Sequence, residues 1–184
     1  ISGSIPNNAF KGCSSLKEVI ISQSVQTIGD YVFSECTSLE KVVIPSSVVK
    51  FGTNCFSCNS RSNNIKNNCY RGVNNKKDET KIKSLQILGN MEHIPDYFFR
   101  SSMYEEIIIP STIKTIGKNA FTNCDNLNKM TIPASVISIG DNCFYGCGNL
   151  QSIKFESLSF ELGENSFYNC KKLRDIQLAS YHVF

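Results

Sequence analysis

The stretch from Leu127 to Phe144, LNKMTIPASVISIGDNCF, contains one complete copy of the pattern that organises this chain. Met130 and Ile132 alternate with Lys129 and Thr131, which reads as a short strand with the first pair inward and the second outward. Pro133 ends it, because a proline cannot donate to a strand ladder. Val136 and Ile139 then re-enter the core, and Gly140 permits a tight bend at positive φ. Asp141 to Gly146 is too short for an independent helix and reads as one helical or 3₁₀ turn. After that turn the pattern begins again.

Outward from this stretch, phenylalanine keeps a 23-residue beat. Phe10, Phe33 and Phe56 hold it, Phe99 follows a long interruption, and Phe121, Phe144 and Phe167 resume it after a slip of one between Phe99 and Phe121. Five residues before each Phe stands Ile5, Ile28, Phe51, Ile94, Ile116, Ile139 or Leu162, usually followed by glycine. Cys13, Cys36, Cys124, Cys147 and Cys170 come three residues after it, and Leu16, Leu39, Leu127, Leu150 and Leu173 six after. A unit this short cannot bury its apolar side alone, so neighbouring units must stack around a shared core. Strands met once per circuit run the same way, which makes the sheet parallel. The expected fold is a curved right-handed solenoid of about seven repeats. A parallel sheet forms one face, and short turns or 3₁₀ segments form the other.

This pattern of Leu, Ile, Pro, Val, Ile-Gly, Ala-Phe and Cys resembles the BspA-like, or treponemal-type, leucine-rich repeats. It is clearest over Leu39 to Phe56 and Leu127 to Phe144 and covers nearly the whole chain as one domain, 1–184. Residues 60–80 do not fit, Ser22 and Glu156 replace the proline, Pro6 and Pro95 replace the glycine, and Asn59 and Ser102 replace the cysteine. The resemblance implies a surface or secreted protein of bacteria or parasitic protozoa, associated with adhesion to host proteins or other cells.

The net charge is +3 with Lys and Arg scattered among nearly as many acids, which gives no footprint for nucleic acid. No apolar stretch approaches the roughly 20 residues that cross a bilayer. Both ends fall inside a unit, so the chain is expected to be a fragment of a longer array, and open coil ends favour end-to-end self-association. With nine cysteines the chain resembles a disulfide scaffold until they are placed in register. Five then occupy one inward row, and Cys55 and Cys143 take the small position before the Phe, which suits free buried thiols. Cys58 and Cys69 flank the interruption either as a stapling disulfide or as two loop thiols. Cys55-Phe-Ser-Cys58 has neither the four convergent ligands nor the histidine of a zinc site, so no metal or cofactor is expected. The only histidines, His93 and His182, lack a nucleophilic context, and an enzyme is not expected.

Two surfaces remain for binding a protein or peptide. One is the outward strand positions, in a row Glu18, Lys41, Ser84, Glu106, Lys129, Ser152, Asp175 beside a row Ile20, Val43, Gln86, Ile108, Thr131, Lys154, Gln177. Ile20 and Val43 make an apolar spot that either seats a partner or reflects the strand preference of β-branched residues. The other is the polar insertion at about 60–80, a tolerated expansion or a binding loop, with Tyr70 and Arg71 as its contact residues. The chain thus reads as a noncatalytic protein-binding module, adhesin-type and at the cell surface or secreted, with an intracellular (cytoplasmic) scaffold as the alternative. In favour of the scaffold are the reduced thiols and the absence of an Asn-x-Ser/Thr acceptor.

Overall fold

A computed structural model describes residues 3–57, 84–89 and 91–179. In chain order the strands begin with β1 (Gly3–Ile5), β2 (Glu18–Ile20), β3 (Val25–Ile28), β4 (Lys41–Ile44), β5 (Lys50–Phe51), β6 (Ser84–Gly89) and β7 (His93–Ile94). They continue as β8 (Glu106–Ile108), β9 (Thr115–Ile116), β10 (Lys129–Ile132), β11 (Ser138–Ile139), β12 (Ser152–Phe155), β13 (Glu161–Leu162) and β14 (Asp175–Leu178). All pairings are parallel and, except for β4 with β6 across the interruption, join residues about 23 apart, so the chain is a parallel β-solenoid of about six turns.

Even-numbered strands form the expected face, paired in the orders β2-β4-β6-β8 and β10-β12-β14. The stretch Leu127 to Phe144 behaves as expected: Met130 and Ile132 are buried while Lys129 and Thr131 face out. The odd-numbered strands form a second parallel face that the sequence pattern did not announce, in the orders β1-β3-β5 and β13-β11-β9-β7. Its strands are two to four residues long and stack in register, as in Ser138↔Thr115 and Ile139↔Ile116. The segment after the proline is thus extended, and its β-branched residues make a second ladder too short to recognise by alternation. The remaining side consists of hydrogen-bonded turns, with no 3₁₀ segment among the described residues.

The Phe beat is a physical stack. Ring centroids stand 5.8 Å apart for Phe10–Phe33, 5.5 Å for Phe33–Phe56, 5.0 Å for Phe99–Phe121, 5.1 Å for Phe121–Phe144 and 5.3 Å for Phe144–Phe167. Phe56 and Phe99 stack at 5.3 Å across the interruption, so the coils on either side of it are direct neighbours. Each buried ring contributes roughly 1.5–3 kcal/mol by burial, and each stacked pair adds about 0.5–1.5 kcal/mol.

Glycine and positive φ occupy different places from those expected. Gly140 has no positive φ; a Cβ there would stand 2.7 Å from the Lys118 amide nitrogen of the coil below, so close approach is what requires glycine. Left-handed backbone falls instead two residues before each Phe, at Asn8, Tyr31, Asn54, Tyr97, Asn119, Asn142 and Asn165. It recurs two residues after, at Gly12, Glu35, Ser101, Asn123, Gly146 and Asn169. Asparagine and glycine tolerate this region, which explains the abundance of asparagine beside the rings.

The inward thiol row is buried at Cys36, Cys124 and Cys147, half-buried at Cys170 and exposed at Cys13, because the terminal coils have a neighbour on one side only. Each buried thiol is also tied to the coil before it: Cys36, Cys124 and Cys147 donate to the carbonyls of Phe10, Phe99 and Phe121, each at 3.1 Å. Cys55 and Cys143 are buried and free. Cys58, Cys69, Tyr70, Arg71 and His182 lie outside the described residues.

Candidate functional site

The register of the first face differs from the 23-residue rows at one strand. Glu18 pairs with Lys41 and Val19 with Val42, but Lys41 then meets Gln86 rather than Ser84, and Val43 meets Leu88 rather than Gln86. Ser84 pairs with Glu106 and Gln86 with Ile108. The strand after the interruption, Ser84–Gly89, thus keeps the expected register with β8 and is offset by two residues only against β4. Glu18 and Lys41 share a row with Ile108, and Ile20 and Val43 share one with Leu88. The insertion removes the fixed link that sets register in every other coil.

The outward charges pair with one another along this face. Lys41 Nζ reaches Glu18 Oε1 at 2.6 Å, Lys129 Nζ reaches Glu106 Oε1 at 3.3 Å, and Lys154 Nζ reaches Glu156 Oε1 at 3.2 Å. Partly exposed pairs of this kind are worth about 0–1 kcal/mol and are open to exchange with a partner's charges. Ile20 is 72 % exposed and Ile108 45 %, whereas Val43 is half-buried, so the apolar spot rests on Ile20.

One junction on this face is open: β8 and β10 run side by side without pairing. At three paired junctions of this face two successive amides share one carbonyl, Glu40 and Lys41 on Lys17, Gln151 and Ser152 on Asn128, Arg174 and Asp175 on Gln151. Here Asn128 N–H donates to Glu105 at 3.1 Å, and the strands then separate. The same two coils stay joined elsewhere. Ser138 pairs with Thr115 on the second face, and Asn119, Phe121 and Asn123 donate to Asp141, Cys143 and Tyr145 at 2.8–3.0 Å. The opening is therefore a wedge, closed on two sides and open on the sheet.

Two departures in sequence coincide with it. Cys36 to Leu39 and Cys124 to Leu127 span three steps, but Ser102 to Tyr104 spans two, and a buried tyrosine stands in the leucine row. Pro133 also cannot donate to Ile109, as Glu156 N–H donates to Ile132 at 3.0 Å one junction later. Pro45 leaves the same gap at β2/β4, and that ladder still pairs over three residues. The shortened link and the larger ring thus account for the opening better than the proline does.

The wedge holds a cleft of about 390 Å³. Four of the outward candidates, Glu106, Ile108, Lys129 and Thr131, line it above a floor of Ile107, Ile109 and Met130. Ser111, Pro133 and Glu156 close one end. In the sequence Glu156 stands out only as a proline replacement, and that substitution is what places a carboxylate here. Glu18, Ile20, Lys41 and Val43 lie on the same face outside the cleft. His93 accepts or donates a 2.6 Å bond with Thr115 Oγ1 on the second face. Burial pushes the Cys36 thiol up to about 11 and the Cys55 thiol up to about 12, which keeps both protonated. No group of three His, Cys, Asp or Glu side chains among the described residues can hold a metal ion. No helix among them is long and apolar enough to cross a membrane.

Among solved structures, a leucine-rich repeat protein of T. pallidum is 22% identical, covering 95% of this chain and 62% of its own, with a TM-score of 0.51. One from Bacteroides ovatus is 21% identical over 96% of this chain and 59% of its own, with a TM-score of 0.50. A leucine-rich cell surface protein of Faecalibacterium prausnitzii is 20% identical over 97% and 64%, with a TM-score of 0.47. This chain thus spans about three-fifths of their length. Curated protein sequences give no match. Residues 2–105 and 92–183 match the BspA type leucine rich repeat region in six copies, against about seven counted from the rings, and the chain belongs to that family.

Proposed function

We propose that this chain is a noncatalytic protein-binding module of an adhesin-type surface or secreted protein, with the first sheet face as its contact surface. The observation that carries the reading is the junction between β8 and β10, which gathers Glu106, Ile108, Lys129 and Thr131 around one cleft. These four belong to ladders on their far sides, Glu106 and Ile108 to β6 and Lys129 and Thr131 to β12, and line an unpaired gap on their near sides. A noncatalytic role is supported at Cys36 and Cys55, since thiols that burial pushes up to about 11 and about 12 are not nucleophiles at neutral pH. Surface placement is supported by the family. The seven free cysteines among the described residues favour the second reading, an intracellular scaffold.

The immobilised chain would be exposed to a panel of extracellular matrix proteins and to intact host cells, beside an Ile108→Asp, Thr131→Asp double variant. Saturable binding that the variant loses by tenfold or more, with unchanged thermal unfolding, is the expected result. Equal binding by both proteins would remove the sheet face from consideration. Surface biotinylation of the source cells separates the two locations.

A further inference from the structure

We propose, building on the sheet-face reading, that the β8/β10 cleft takes a single large apolar side chain presented next to a lysine or arginine on a partner protein's loop. An added strand does not fit. Inserting one would require its two neighbours to stand about 9.6 Å apart, twice the usual strand spacing, whereas β8 and β10 keep Cα pairs within 8 Å. The ligand therefore enters by a side chain rather than by its backbone.

The size of the space agrees. A volume of about 390 Å³ lies at the low end of the roughly 300–1,000 Å³ of small-molecule pockets, enough for one or two side chains. Ile107, Ile109 and Met130 beneath it are already buried, and the exposed carbon of the lining is that of Ile108, 45 % exposed, which an aromatic or aliphatic group seated here would remove from water. The charged groups in the lining are two carboxylates, Glu106 and Glu156, against one ammonium, Lys129. Both carboxylates sit in exposed pairs, Glu106 with Lys129 and Glu156 with Lys154. An incoming cation can displace either lysine at little cost, because exposed pairs of this kind contribute about 0–1 kcal/mol. An incoming anion would face two carboxylates within the cleft wall.

The test pans a phage-displayed random dodecapeptide library on the full chain and measures the enriched peptides by fluorescence anisotropy. We expect Phe, Leu, Ile or Met beside Lys or Arg. Thr131→Trp, which fills the cleft from an exposed strand position, should weaken these peptides at least tenfold, and Val49→Asp, on a remote surface, should leave them unchanged. Replacing Glu106 and Glu156 by Gln should weaken peptides bearing Lys or Arg three- to tenfold and leave their norleucine analogues unaffected.

Enriched peptides with acidic flanks, or binding indifferent to Thr131→Trp, overturn the proposal. Should Ile20→Asp abolish binding where Thr131→Trp does not, the sheet face stands and the cleft assignment falls. Peptides insensitive to both substitutions, or no enrichment at all, defeat the two readings together.

Discussion

The junctions β10/β12 and β8/β10 join consecutive coils of nearly the same sequence, yet one is zipped and the other open. At β10/β12 four residue pairs align, from Lys129↔Ser152 to Ile132↔Phe155, and Glu156 adds a bond where proline usually stands. At β8/β10 the ring stack, the second face and the turn bonds persist while the first ladder is absent. Beside the ring stack, three hydrogen-bonded lines hold most neighbours, and two are enough. A solenoid with that surplus can release one line at a single place and form a cleft without losing its fold.

Removing the ring that hinges the open junction should have the largest effect. Phe121 is fully buried between Phe99 and Phe144, so Phe121→Ala is expected to cost about 3–5 kcal/mol. Phe10, 39 % exposed, has a stacking partner on one side only, and Phe10→Ala should cost well under half as much. Urea unfolding compares them, and equal costs would mean that the two retained lines do not depend on the stack.

Amide exchange reads the difference between the junctions directly. Lys154 lies in the zipped ladder, and Thr131, its partner one coil earlier, is the counterpart facing β8. The Thr131 amide should exchange at least tenfold faster than that of Lys154. Tyr104→Leu, which restores the leucine row, should narrow that gap while costing about 1–2 kcal/mol through lost ring volume. An unchanged gap would shift the cause from the ring to the shortened link.

The zipped coils were legible because their positions repeat: Phe, Leu and Cys rows fix which side chain faces in, and a period of 23 fixes the pairing. The second face was not, since two-residue strands such as Ser138–Ile139 carry no alternation to read. Left-handed backbone had a signal, the asparagine that stands two residues before the ring at Asn54, Asn119 and Asn142, but glycine was the more conspicuous candidate. The open junction was visible only as a slip of one between Phe99 and Phe121. A missing residue shows that a link is shorter; it does not show which of three ladders gives way. The two-residue shift between β4 and β6 was hidden for the opposite reason, an insertion that frees the register.

Smaller changes refine the same contrast. Ser101 holds φ 56° where the tighter coils place Asn123, Gly146 and Asn169. Ser101→Asn should stabilise the chain by about 0.5 kcal/mol by relieving left-handed strain just ahead of the shortened link, measurable as a higher unfolding midpoint.

The weakest effect expected is a response to pH on the closed side of the wedge. There Asp141 accepts from Lys118 Nζ at 3.1 Å across the open junction and from the Glu164 amide at 3.0 Å across the next. The Lys118 bond, with that amide, holds the Asp141 carboxyl below its usual range. A carboxyl lowered in the folded state contributes above its unfolded pKa of about 3.9 and loses that contribution as pH falls through the folded value. Asp141→Asn should therefore reduce stability slightly at pH 7 and not at pH 2, and an equal loss at both would exclude the charge as the cause.

Proline at the glycine position gives the second face a seam of its own. Gly52, Gly117 and Gly140 each donate to the coil before, at 2.7–2.8 Å, but Pro95 has no N–H to offer the coil of Phe51, and β5 and β7 are unpaired. The two seams therefore lie on different faces and at different heights along the stack. Under a pull on its two ends, such a body yields in separate steps rather than all at once: each seam tears while the opposite ladder still bears the load. Force spectroscopy should record at least two rupture events, with the middle coils between the seams released as a block.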